Sequence, residues 1–204
     1  MCLYCFIKGV SFASVDLAKT FVFMRKLSME ALNRPTAEAF KNSKKLPVVA
    51  VLDNLRSLAN VGSIFRSADA FAINHLYLCG FTGTPPNRDI HKAALGAEES
   101  VAWTHFESTT SCIEKLKSEG YTVLAIEQTD ESVLLSNFTF EKGKQYAFVL
   151  GNEVMGVADE ALALCAGALE VPQAGSKHSL NVSVCAGVVF WEAYQTFFNV
   201  FQQN

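Results

Sequence analysis

The stretch LPVVAVLDNLRSLANVGSIFRSADAFA, residues 46–72, changes its pattern twice. LPVVAVL is short, apolar and rich in valine, whose branched side chain packs well on a pleated surface, so it reads as a core strand. Asp53 and Asn54 follow as turn formers. From Asn60, a candidate N-cap, apolar residues recur at 61, 64, 65, 68, 71 and 72, which is helical spacing. Strand, loop and helix in that order are the first half of a βαβ unit.

The alternation continues outward from this stretch. HLYLCG (75–80), YTVLAIE (121–127), QYAFVLG (145–151) and ALEVP (168–172) read as further strands. HKAALGAEE (91–99), STTSCIEKLKSEG (108–120, closed by Gly120) and ADEALALCAG (158–167) read as helices between them. The expected fold class is α/β, with a mostly parallel sheet covered by helices on both faces. A last helix, about 181–200, is apolar nearly all round: Val184, Val188, Trp191, Phe197 and Phe198 are joined by Val182, Val189, Phe190 and Tyr194 on other faces. Two explanations stay open for it, a place in a subunit interface or deep burial in the monomer.

Composition bounds the function. The 204 residues are half hydrophobic, which suits one domain with a well-filled core. A net charge of −3 excludes an overall basic signature for nucleic acid. Locally, Arg25, Lys26, Arg34, Lys41, Lys44 and Lys45 outweigh Glu30 and Glu38, either as a solvated helix face or as a phosphate-contacting patch. Six scattered cysteines suggest reduced thiols and a cytoplasmic protein. Cys2 and Cys5 form a C-x-x-C without a second ligand pair, so no metal is expected. His75, His91, His105 and His178 are isolated and read as surface or satisfied residues. Residues 1–23 are interrupted by Lys8 and Asp16, which argues against a membrane span, and they lack the order of a signal peptide. They read as an extension outside the fold, with Met24 a candidate start, followed by a basic helical segment (24–45) and the main domain (46–204).

Neither a G-x-x-x-x-G-K-[ST] nor a strand-linked G-x-G-x-x-G is present, so phosphate-cradling loops are not expected. Three polar clusters instead follow predicted strands: residues 53–70, 150–156 and 171–187. In open α/β sheets, ligands bind beyond the C-terminal ends of strands. Glycines and serines there also serve as turn formers and caps, but three clusters on one sheet edge favour a shared site.

These segments read N-x-G-x-I-x-R-x-A (Asn60, Gly62, Ile64, Arg66, Ala68), L-G-N-E-x-x-G (Leu150 to Gly156) and P-x-x-G-x-x-x-S-L-N-V-S (Pro172 to Ser183). In this order they closely resemble the three motifs of the SpoU/TrmH family of SPOUT-class RNA methyltransferases, and the likeness covers about residues 46–200. The resemblance implies S-adenosylmethionine (AdoMet) as methyl donor and a ribose 2′-hydroxyl of RNA as acceptor, with tRNA favoured over rRNA because no appended RNA-binding domain is visible. It also implies a homodimer and a C-terminal trefoil knot, which general folding rules would otherwise reject.

Residue by residue, Arg66 matches the family's catalytic arginine, with Asn60, Glu153, Ser179 and Asn181 completing the catalytic group. Thr129, Leu150, Gly151, Val171, Pro172 and Leu180 fall at cofactor-binding positions, and Gly175 is expected to let the chain turn where a side chain would intrude. Arginine stays protonated, so Arg66 is expected to grip the RNA phosphate beside the target ribose, the proton passing to that phosphate or transiently to the arginine. Alternative structural roles are an Arg66–Asp69 surface pair, an N-cap for Asn60, a loop acid for Glu153 and helix caps for Ser179 and Asn181. Rival functions are a non-catalytic RNA-binding homologue and a methyltransferase acting on a base or small molecule. Arg56 and Arg88 near the sheet edge are candidate phosphate contacts.

Overall fold

The valine-rich run forms β1, Val48–Asp53, and all six of its residues are buried. A strand buried on both faces belongs in the middle of a sheet with layers on either side. In the computed structural model, which describes residues 25–28 and 30–198, this is where β1 lies. The remaining strands are β2 (His75–Cys79), β3 (Trp103–Phe106), β4 (Tyr121–Ile126), β5 (Val133–Leu134), β6 (Gln145–Leu150) and β7 (Gly167–Glu170). They form one seven-stranded sheet in the order β3-β2-β1-β6-β4-β7-β5, with every pairing parallel.

Alternate residues of a strand face opposite sides, and β1 divides accordingly. Val48, Ala50 and Leu52 face one core with Ile64, Phe65, Val189 and Phe190. Val49 and Val51 face the other with Cys112, Ile113, Leu116 and Ala161. Each fully buried Val or Leu is worth roughly 1.5–3 kcal/mol over its exposed state. Helices α2 (Leu58–Ala70) and α7 (Val182–Phe197) supply the first core, and α5 (Thr109–Ser118) and α6 (Asp159–Leu162) the second. The expected α/β sheet with helices on both faces is therefore present.

Several boundaries differ from expectation. Helix α2 begins at Leu58 with Ser57 as its N-cap, the Ser57 hydroxyl accepting from the Asn60 N–H; Asn60 thus lies inside the first turn. The run 91–99 is broken into α3 (Arg88–Ala94) and α4 (Ala97–Ser100), because Leu95 (φ 54°) and Gly96 (φ 90°) both take left-handed conformations. Helix α6 stops after Leu162, since the Ala166 N–H already bonds the Val123 carbonyl of β4. Strand β3 escaped notice because it is an edge strand with exposed Thr104 and His105, and β5 because it has two residues.

The chain divides into two units, residues 1–34 and 35–204. In the first, Glu30–Leu32 form one 3-10 turn; Cys2, Cys5 and Met24 lie outside the described residues. The second opens with α1, Ala37–Lys41, capped by Thr36. Lys45 folds back to donate to the Phe40 carbonyl at 2.5 Å, and its ammonium sits over the Phe40 ring. Burial lowers its pKa to about 8. No helix among the described residues is long and apolar enough to cross a membrane.

Helix α7 is buried in the monomer on one face only. Ala186, Val189, Phe190, Ala193 and Phe197 are buried within the monomer. Val184, Val188 and Trp191 form an outward stripe, with Val184 53% and Trp191 48% exposed.

Candidate active site

The three polar clusters meet at the C-terminal edge of the sheet, and one side chain joins them. Asn60, in the first turn of α2, donates its amide to Glu153 Oε1 at 2.9 Å and accepts from Asn181 Nδ2 at 3.1 Å. Glu153 belongs to the loop after β6, and Asn181 is the N-cap of α7, accepting from the Ser183 and Val184 N–H groups. An asparagine amide offers both donors and an acceptor, which is what a bridge between an acid and a second amide requires.

Glu153 is bound more fully than its exposure suggests. Its oxygens also accept from the backbone N–H groups of Arg56 and Ser57, both at 3.0 Å. These groups stand at the unsatisfied start of α2, so a remote acid performs the service that a capping-box glutamate performs locally. Burial pushes its pKa up, but the hydrogen bonds from Arg56, Asn60 and Ser57 outweigh burial and leave it below the ordinary carboxylate value.

The loop after β1 is equally tied down. Buried Asp53 accepts from Thr109 Oγ1 (2.5 Å), Asn54 Nδ2 (2.9 Å) and the Ala158 N–H (2.9 Å). Thr82 donates to the Leu52 carbonyl and accepts from the Leu55 N–H. Asn152 donates to the Asn54 carbonyl at 2.6 Å, while its own oxygen accepts from the Val154 and Met155 N–H groups. Gly151 is required by the protein's own backbone: a Cβ there would lie 2.1 Å from the Gly156 carbonyl carbon.

Between the loops after β4 and β6 and the segment after β7 lies a cavity of about 680 Å³. Of the sequence-selected residues, Thr129, Leu150, Gly151, Glu153, Val171, Ser179, Leu180 and Asn181 line it. Pro172 and Asn60 do not, although Asn60 bonds two residues that do. Arg66 stands apart, six residues beyond Asn60 on α2 and thus about 9 Å further along the helix. It is exposed, and the proposed pair with Asp69 is absent: Asp69 instead accepts from Ser100 Oγ at 2.5 Å. At Gly175 a Cβ would meet nothing within 4 Å, and the residue does not take a positive φ, so no protein atom demands a glycine there.

Glu127, just past β4, was not singled out from sequence. It accepts from the Val157 N–H at 3.0 Å and sits against Gly156, where a Cβ would come within 2.3 Å of its Oε2. Its position immediately after a strand was the available signal. With Glu153, Asp159 and Glu170 it makes four carboxylates in the lining, which contains no lysine or arginine. Such a lining suits a ligand with positive charge and disfavours one carrying phosphates. Among the described residues, no cluster of three or more His, Cys, Asp or Glu side chains is arranged to hold a metal ion.

Comparison with known proteins identifies the family and the fold. Residues 47–191 match the SpoU rRNA Methylase family. A Staphylococcus saprophyticus protein assigned to the TrmH family of tRNA/rRNA methyltransferases is 26% identical over 155 residues, covering 76% of this chain and 61% of that one. The chain thus spans about three-fifths of that relative's length. An AdoMet-bound rRNA methyltransferase from Sinorhizobium meliloti superposes with a TM-score of 0.69 at 25% identity, over 76% of this chain and 59% of that one. A structure concerned with the 2-OH methylation of C/U34 on tRNA gives 0.65 at 25% identity, over 74% of this chain and 97% of the other. With its motifs in order and its sheet in the shared architecture, the chain belongs to the SpoU rRNA methylase family, related to TrmH.

Proposed function

We propose that the protein is an AdoMet-dependent RNA methyltransferase acting on a ribose 2′-hydroxyl, with tRNA favoured over rRNA as substrate. The observation that carries this reading is the Glu153–Asn60–Asn181 bridge beside an acidic cavity free of lysine and arginine. AdoMet fits that lining, because its sulfonium and ammonium outweigh its single carboxylate and it carries no phosphate. Thr129, Leu150, Gly151, Val171 and Leu180 are the lining residues that would hold it, chiefly through loop backbone and apolar contact, with Pro172 just outside them. When bound, it supplies an electrophilic methyl group.

The chain's own residues must position and activate the acceptor. A ribose hydroxyl is a poor nucleophile until its proton is removed. Arg66, permanently charged and without an ion pair among the described residues, is suited to grip the phosphate beside the target ribose and to stabilise the oxygen as its proton leaves to that phosphate. Asn60 and Glu153 keep the α2 and β6 loops in register, and Ser179 and Asn181 face the reacting oxygen. The structure concerned with tRNA C/U34, which this chain covers almost fully, supports both the ribose target and tRNA.

The exposed Val184–Val188–Trp191 stripe supports a homodimer through α7. The segment after β7, on the outer half of the sheet, returns to α2 beside β1 and supports a C-terminal trefoil knot. Residues 1–23 are proposed to be an extension outside the fold, 24–45 a basic segment and 46–204 the catalytic domain, working in the cytoplasm. Incubation with tRNA and rRNA and methyl-labelled AdoMet, followed by nucleoside mass spectrometry, tests the reading. A 2′-O-methyl nucleoside is expected; label on a base, or AdoMet bound without transfer, overturns it.

A further inference from the structure

A second cavity, of about 540 Å³, shares no lining residue with the first and lies between the β2–α3 loop and the α4–β3 turn. Its walls include Pro85, Pro86 and Trp103, with Arg88, Glu98 and Glu99 supplying charge. The Glu98 side chain is only 9% exposed. Its Oε1 meets His91 Nδ1, whereas its Oε2 is the one buried side-chain nitrogen or oxygen among the described residues without a hydrogen-bond partner. A buried carboxylate oxygen left unpaired is costly, and such a group commonly marks a place where a ligand or water completes the structure.

We propose that this cavity is an RNA subsite that takes an unstacked guanine of the substrate. Resting on the RNA methyltransferase reading above, the assignment follows from which ligand satisfies every wall at once. Trp103 and the two prolines offer flat apolar surfaces, on which any nucleobase stacks. The charged groups narrow the choice. Two carboxylates ask for N–H donors, and guanine carries them at N1 and N2 on its Watson–Crick edge. Arg88 asks for acceptors, and guanine presents O6 and N7, the pair that arginine engages most often. Oε2 is itself shielded, so to meet an incoming donor the carboxylate must rotate and loosen Oε1 from His91, an exchange that the new N–H bonds would offset. A lysine or arginine side chain of a protein partner would satisfy the acids but meet Arg88 as a like charge.

The fold couples this cavity to the candidate active site. The loop that carries Pro85 and Pro86 starts at Thr82, which bonds the Leu52 carbonyl and the Leu55 N–H at the end of β1. Gly83 abuts Leu58 in the first turn of α2, where a Cβ would come within 2.2 Å of Leu58 Cδ2. Helix α3 leaves the cavity at Arg88 and packs its far end, Ala93 and Ala94, against Gly62 of α2, one turn before Arg66. A base seated at Trp103 therefore lies on the same α2–α3 layer that presents Arg66.

The test reads the indole N–H signal of Trp103 by NMR, identified as the one that survives in Trp191→Phe, while GMP, IMP, AMP, CMP or UMP is added to the full chain. GMP should shift the signal and bind at least about fivefold more tightly than AMP, CMP or UMP. IMP, which lacks the N2 amine, should fall between them, and Glu98→Gln should remove the preference. In parallel, Trp103→Leu should weaken tRNA binding roughly fivefold to tenfold, with AdoMet affinity unchanged as a check that the variant is folded. Equal response to all five nucleotides, or none, overturns the guanine subsite, as does unaltered tRNA affinity in Trp103→Leu. If the wild-type protein neither binds tRNA nor transfers methyl groups to RNA, the methyltransferase reading falls and the subsite with it. If it methylates RNA while Trp103 ignores GMP, the subsite alone falls.

Discussion

Two sides of the 680 Å³ cavity are built in opposite ways. The wall formed by the loop after β6, backed by the loop after β1, is fastened by buried or shared polar groups: Asp53 with three hydrogen bonds, Glu153 with three, and Asn152 with three. On the far side, Pro172 through Leu180 make no hydrogen bond among the described residues, and Pro172 through Asn181 are all exposed. A site whose one wall stands unaided while the other lacks partners is one in which ligand contacts finish the second wall. On the proposed reading, the open wall closes on a donor that rests against the fixed wall at Leu150 and Gly151, while Arg66, outside the lining, serves the acceptor.

The sharpest way to break this division of labour is Arg66→Ala. If Arg66 serves the acceptor alone, methyl transfer should fall about a hundred- to ten-thousand-fold while the AdoMet dissociation constant, measured by calorimetry, stays put. Weaker cofactor binding in that variant would merge the two roles.

Asn60→Ala cuts the bridge itself and leaves Glu153 and Asn181 each short of a partner. One lost bond is charge-assisted, so unfolding free energy should drop by about 2 kcal/mol, or roughly 4–8 °C in Tm. An unchanged melting curve would mean that the bridge contributes no net stability.

The open wall can be probed directly, because Lys177 lies within it. Trypsin should nick the native protein there, and saturating AdoMet should slow that cut by about tenfold. Equal rates with and without AdoMet would show that the donor does not close this segment. Leu180→Ala should then weaken AdoMet roughly fivefold, near 1 kcal/mol, without moving the Tm of the unliganded protein. A lowered Tm would show that Leu180 already supports the resting fold.

The smallest effect is that of pH. The folded-state pKa of Glu153 lies below its ordinary value of 4.5. A depressed carboxylate stabilises the fold above its unfolded pKa and loses that contribution as pH falls through the folded value. The fixed wall should therefore persist at pH 5 and loosen only below the ordinary carboxylate range. In a Tm-against-pH series, Glu153→Gln should flatten that acid limb, and an identical limb would assign it to other groups.

What sequence could and could not disclose follows the same physical line. Strands β1, β2, β4, β6 and β7 carry mostly buried runs and announced themselves, whereas the half-exposed edge strand at Trp103–Phe106 carries no such run. Asn60 was chosen from its place in a motif and fitted as a cap. Its actual task, joining two segments 93 and 121 positions away, is tertiary and leaves no local trace. Glu98 was passed over altogether, since an unpaired buried oxygen can be found only when its surroundings are known. The end of α6 likewise depended on capture of Ala166 by β4, which periodicity within 158–167 does not encode.

Asn152, by clamping the Val154 and Met155 N–H groups, also holds those two side chains outward, 72% and 82% exposed, beside the cavity mouth. Apolar surface kept wet by a rigid turn carries a hydration shell that any molecule seated across it must strip away. Association there will consequently show a negative heat-capacity change, with a binding enthalpy that grows more favourable as the solution is warmed.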